Sequence, residues 1–232
     1  MIKKIFYFHI PKTGGSTVKS VLHEQIEDID RNIYFANDYE KCLEILKEKQ
    51  PKLISSENLF PVENNYSRIT SHHNNNNCEE QCIEILKKIK KNGYTLLVTV
   101  RNPIHLRCSF FNYFWGNLPL KKDKDKWCKV HHGIYKNSES ISKWLDYSCG
   151  TDFLISPNLI KEFDFIVDIS AGGLEKIDLK KNVSENKEPL CIDESIYNKL
   201  LNTKDFKYYN QYHEKFSEKI KPLHLLQFKP FK

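Results

Sequence analysis

Residues 94–100 read YTLLVTV, a run so nearly apolar that it fits a strand buried on both faces, the central strand of a sheet. Shorter apolar segments that also read as buried strands fall at residues 4–10, 32–35, 52–56, 68–71 and 163–169. Between them the apolar residues change to a helical period. Val18, Val21, Leu22 and Ile26 share one helix face, Tyr39, Cys42, Leu43 and Leu46 a second, and Ile85, Leu86 and Ile89 a third. Strands alternating with helices predict an α/β chain whose central parallel sheet is flanked by helices. Residues 193–201 and 205–220 read as helices, so the C-terminal third is expected to be mainly helical, with Pro222 and Pro230 marking an irregular tail. Residues 72–77 (HHNNNN) read as a loop before a helix starting near Cys78. The 232 residues show no repeat and no Pro/Gly/Ser-rich linker, which predicts a single domain over 1–232.

The first strand runs into a segment with chemistry of its own. Residues 6–17 read FYFHIPKTGGST: an apolar strand, a Gly-Gly turn and the start of an amphipathic helix. That order gathers backbone N–H groups and the positive end of a helix at one point, which makes an anion site. Gly14 and Gly15 let the backbone approach an oxyanion, Ser16 and Thr17 add hydroxyl donors, and Lys12 supplies a mobile cation. His9 is expected to pack beneath this loop. The lysine precedes the glycines, so the segment is not the G-x-x-x-x-G-K-[ST] loop of nucleoside triphosphatases. No clear acidic residue ends the apolar strands to hold magnesium, and Arg101 follows Val100.

A second landmark follows the central strand, at residues 98–114 (VTVRNPIHLRCSFFNYF). Asn102 suits a helix N-cap and Pro103 the first helical position, so a helix should start directly after Arg101. Arg101 then stands at the carboxyl end of a central strand, where open α/β sheets bind ligands, and its guanidinium can fork onto a phosphate. Ser109, two turns into the helix, can add a hydroxyl to the same anion. Phe110, Phe111, Phe114 and Trp115 read as core.

Residues 8–17 (FHIPKTGGST) resemble the 5′-phosphosulfate loop of the sulfotransferase superfamily, and are especially similar to the carbohydrate sulfotransferases of the heparan sulfate 2-O-sulfotransferase type. Residues 98–109 resemble the 3′-phosphate motif of the same superfamily, R-[DN]-P with a serine eight positions after the arginine. Weaker resemblances fall at residues 54–58, 181–187 and 204–212, the last to a C-terminal D-x-x-x-Y helix. The resemblance implies a P-loop-like sulfotransferase fold and an enzyme that transfers a sulfuryl group from 3′-phosphoadenosine 5′-phosphosulfate to an acceptor hydroxyl of a carbohydrate, without a required metal. In that frame Lys12, Thr13, Gly14, Gly15, Ser16, Thr17, Arg101 and Ser109 bind the nucleotide, and Lys12 also serves catalysis near the bridging oxygen. The implied general base is His72, at the end of the strand over 68–71. His73 and Glu57 are the alternatives, and Ser71 departs from the glycine or threonine usual before this histidine. His105, His131, His132, His213 and His224 carry no motif.

The net charge of +6 and a pI near 8.8 favour an anionic partner. The densest lysine cluster, residues 121–126 (KKDKDK), alternates with acids and reads as a solvated loop, so no nucleic-acid partner is expected. The expected partners are the nucleotide donor and a glycan acceptor. Seven scattered cysteines without a CxxC read as free thiols in a reducing compartment. No apolar run reaches the length of a membrane span, no leader is evident, and the Golgi anchor of animal relatives is missing, so the expected location is cytoplasmic. Two other functions fit the same loop: a nucleotide phosphotransferase, or a nucleotide-binding module without catalysis.

Overall fold

The computed structural model describes residues 2, 4–10, 12–25, 33–35, 44, 47–48, 53–56, 76–117, 140–150, 153–174 and 192–226. Within them five strands form one all-parallel sheet: β1 (Ile5–Phe8), β2 (Ile33–Phe35), β3 (Leu53–Ser56), β4 (Thr95–Val100) and β5 (Phe165–Asp168), in the order β2-β3-β1-β4-β5. These correspond to five of the six expected strands. The sixth, over 68–71, lies outside the described residues, as does most of the helix expected around Tyr39–Leu46.

The helices among the described residues are α1 (Gly15–Gln25), α2 (Asn76–Lys91), α3 (Pro103–Asn117), α4 (Ile141–Ser148), α5 (Pro157–Ile160), α6 (Glu194–Leu201) and α7 (Lys204–Lys215). Strand alternation sorts the core into two layers. Ile5, Tyr7, Leu97 and Val167 face one side and pack on Val18 and Leu22 of α1 with Leu223 and Leu226. Phe6, Phe8, Leu96, Val98 and Ile166 face the other and meet α2, α3, α4 and the C-terminal helices. The fold is therefore α/β with a helix-flanked parallel sheet, as the alternating pattern predicted. No helix among the described residues is long and apolar enough to cross a membrane.

Three elements differ from expectation. α7 ends at Lys215, because the chain leaves the helix to lay Ile220 beside Ile166 as a parallel bridge, with Lys221 N–H donating to the Ile166 carbonyl at 3.0 Å. α4 and α5 were not anticipated. Each is capped by a serine, Ser140 or Ser156, whose Oγ accepts from the N–H three residues on.

One buried ion pair locks the helical layer to α3. Arg107 and Asp205 are both wholly buried, with Nη2 and Oδ2 2.9 Å apart. Asp205 also accepts the N–H groups of Phe153 and Leu154 at 2.9 Å. Arg107 donates to the carbonyls of Pro103 and Ser148, at 3.2 and 3.4 Å, and its guanidinium lies over the Phe153 ring.

Chain order changes side at β1, since β3 lies against one edge of β1 and β4 against the other. In open parallel sheets the ligand crevice forms at such a switch, outside the carboxyl ends of the strands. Here those ends belong to β1 and β4, the strands that carry the glycine turn and Arg101.

Candidate functional site

The turn after β1 is bent tightly by two left-handed residues, Lys12 (φ 66°) and Gly14 (φ 76°). Glycine adopts that conformation freely, but a lysine is strained in it and must be held. Arg101 Nη1 donates to the Lys12 carbonyl at 3.3 Å. The next residue, Thr13, is fully buried and donates its hydroxyl to the Ile10 carbonyl at 2.6 Å. With its own hydrogen engaged there, Thr13 Oγ1 must accept from Thr99 Oγ1 at 2.6 Å, and Thr99 in turn accepts from the Tyr7 hydroxyl at 2.9 Å. This chain of hydroxyls ties the loop to β1 and β4. Thr13 therefore turns its side chain into the fold, while Ser16 is exposed and Thr17 half-buried.

Gly15 is required by close packing. A Cβ there would stand 2.0 Å from Nε2 of His9, whose ring lies beneath the loop as expected. The first backbone bond of α1 runs from Val18 N–H to the Gly14 carbonyl at 3.1 Å, so the N–H groups of Gly15, Ser16 and Thr17 precede it and have no partner within the helix.

Lys12 Nζ sits 4.0 Å from the centre of the Tyr113 ring on α3. Burial, reinforced by the Arg101 charge, brings the Lys12 pKa down from 10.5 to about 8. Burial lowers that of Arg101 as well. Neither cation forms an ion pair among the described residues. Two partly desolvated positive charges thus converge beside a helix N-terminus, an arrangement that an anion would relieve.

α3 begins as its sequence predicts. Asn102 Oδ1 accepts from Ile104 N–H at 3.0 Å, and Pro103 is the first helical residue. Ser109 is partly buried two turns on. Beside α3, Asp168 ends β5 in register with Val100, so an acidic residue does close one apolar strand, contrary to the sequence reading. Phe165 to Val167 mask it as the tail of an apolar run. Asp168 is wholly buried and its oxygens are engaged. Oδ1 accepts Ser170 N–H at 2.8 Å, and Oδ2 accepts the Tyr209 hydroxyl at 2.6 Å and meets His213 Nε2 at 2.8 Å. Burial and this carboxylate both raise the Tyr209 pKa. Ser170 Oγ accepts Asn102 N–H at 2.9 Å and contacts His105 Nδ1 at 3.3 Å.

No protein-family model matches the chain, and no curated protein matches it. Among solved structures it is similar to mouse sulfotransferase SULT7A1 complexed with PAP, at 18% identity and a TM-score of 0.31. That similarity covers 72% of this chain and 51% of the mouse chain, so the chain spans about half the length of the structure it matches.

Of the residues singled out from sequence, the structure brings together Lys12, Gly14, Gly15, Ser16, Thr17 and Arg101 at the switch point, with Ser109 on the adjoining helix. His72, His73 and Glu57 lie outside the described residues. Sequence reading missed Tyr7 and Thr99, which look like ordinary strand residues. It also missed the Asp168, Ser170, His213 and His105 group, whose members lie far apart in the chain and meet only in the fold.

Proposed function

We propose that the chain is a sulfotransferase that uses 3′-phosphoadenosine 5′-phosphosulfate, with a carbohydrate hydroxyl as acceptor, acting as one domain over residues 1–232. The observation that carries this reading is the convergence of Lys12 and Arg101, neither balanced by a carboxylate among the described residues, on the amide-rich start of α1. Such a donor set fits a ligand with two separate anionic groups. The sequence resemblance of both segments to the two phosphate motifs of sulfotransferases says which ligand.

When bound, the nucleotide supplies an activated sulfuryl group on a phosphate leaving group. The N–H groups of Gly15, Ser16 and Thr17 would hold its 5′ end, and Arg101 and Ser109 its 3′-phosphate. Lys12, strained at its backbone, would place its ammonium at the bridging oxygen, where negative charge grows as the bond to sulfur breaks. His72 would accept the acceptor's proton, with His73 or Glu57 as the alternative base.

A second reading, a metal-assisted phosphotransferase, gains one observation in its favour from Asp168 at the end of β5. The three donors that already engage this buried carboxylate count against it. The test is a screen of glycan acceptors with labelled phosphosulfate donor, run with and without EDTA. Transfer of label that survives EDTA supports the proposal, and His72→Ala should reduce it about 10²- to 10⁴-fold. Phosphoryl transfer from ATP that collapses on chelation would replace the proposal with the second reading.

A further inference from the structure

We propose that His105 is a second donor to the phosphate group that Arg101 receives; this rests on the sulfonucleotide reading above. His105, Ser109 and Tyr113 stand at i, i+4 and i+8 on α3, so they share one helix face. Tyr113, at the far end of that face, lies beneath the Lys12 ammonium. His105, at the near end, is one turn from Arg101. The face therefore runs along the crevice from the glycine loop to the strand-end arginine, and His105 occupies the arginine end.

The ring is held from behind. Ser170 N–H is fixed on Asp168, and Ser170 Oγ already accepts Asn102 N–H. Its remaining hydrogen is free to meet His105 Nδ1 at 3.3 Å. In the tautomer whose Nδ1 accepts this hydrogen, the proton of the neutral ring sits on Nε2, which has no hydrogen-bond partner among the described residues. His105 is exposed, so Nε2–H is open to a ligand.

Three influences set its charge. Partial desolvation of the ring lowers the His105 pKa most, the Arg101 guanidinium lowers it further, and Asp168 opposes both. His213 and Tyr209, on α7, reach His105 only through Asp168. A phosphate entering beside Arg101 would offset the guanidinium and raise the His105 pKa, turning a neutral donor into a charged one.

Calorimetric titration with adenosine 3′,5′-bisphosphate and with adenosine 5′-phosphate tests the assignment in wild type, His105→Ala and His105→Gln. His105→Ala should weaken the bisphosphate roughly tenfold or more, the scale of one hydrogen bond to a charged group, and leave the monophosphate within about twofold. The ratio of wild-type to His105→Ala affinity for the bisphosphate should grow as pH falls from about 7.5 to about 6, because only the wild type gains a proton at this position. His105→Gln keeps an amide donor and should retain most of the affinity at the higher pH without that growth. Unchanged bisphosphate affinity in His105→Ala, or equal weakening of both nucleotides, overturns the assignment alone. A wild type that binds neither nucleotide overturns the sulfonucleotide reading and the assignment with it.

Discussion

Asp205→Ala should be among the most damaging single substitutions in this chain, although Asp205 lies on α7, away from the glycine loop. It removes the carboxylate that pairs with the wholly buried Arg107, and it takes the acceptor away from the amides of Phe153 and Leu154. Breaking a buried ion pair by deleting one partner costs about 3–5 kcal/mol, because the remaining charge stays desolvated. Each orphaned amide costs about 1–3 kcal/mol if water cannot reach it. The terms overlap, since a collapsing site lets water in, and about 4 kcal/mol is a fair total. Set against the usual 5–15 kcal/mol of a native chain, that is a large share. In urea the unfolding midpoint should fall by about 1.5 M, with the slope unchanged. Asp205→Asn should lose less, because the amide oxygen can still accept from Phe153 or Leu154. A loss below about 1 kcal/mol for Asp205→Ala, the scale of exposed pairs, would refute the buried arrangement. The consequence reaches the site, because Arg107 anchors the inner face of the helix whose outer face carries His105, Ser109 and Tyr113.

Gly15→Ala should leave a folded chain that no longer binds the nucleotide, since its Cβ would meet the His9 ring at 2.0 Å; a His9→Ala, Gly15→Ala double variant should recover part of the affinity measured by calorimetry. With Lys12 near pKa 8 in the free protein, kcat/KM for the donor should fall as pH rises through about 8, and Lys12→Ala should lose turnover while still binding nucleotide. The same lowered pKa makes the folded state release the Lys12 proton before the unfolded chain does. Any stability advantage of Lys12→Met over wild type in denaturation should therefore shrink as pH rises from about 8 towards 10.5. Arg101→Ala should weaken adenosine 3′,5′-bisphosphate by roughly 1.5–3 kcal/mol in calorimetry, and adenosine 5′-phosphate much less.

What the sequence disclosed follows from how local each signal is. The FYFHIPKTGGST segment and the Val100-Arg101-Asn102-Pro103 junction each fit within a dozen or so residues, so strand, turn, cap and helix could be read directly, and the structure has them where they were expected. Ser156-Pro157, an N-cap and first-turn pair, could have revealed α5 by the same logic. Asp168 could not be recognised in this way. Its neighbours spell a buried strand, and its partners Tyr209 and His213 lie about forty residues on, joined through α7. Thr13 reads from sequence as one of the nucleotide-binding residues of the loop, because sequence does not reveal that Thr99 waits on the adjacent strand. His105 carried no motif for a similar reason: its significance comes from Ser170, which reaches it only because β5 lies beside β4.

The central claim is that this crevice recognises a nucleotide bearing both a 3′- and a 5′-anion. Thermal or chemical unfolding in the presence of adenosine 3′,5′-bisphosphate, compared with ATP and magnesium, tests it most directly. At 100 times its dissociation constant the bisphosphate should add roughly 2.7 kcal/mol of stability, with ATP and magnesium adding far less. Stabilisation by ATP and magnesium, with none from the bisphosphate, would contradict the account.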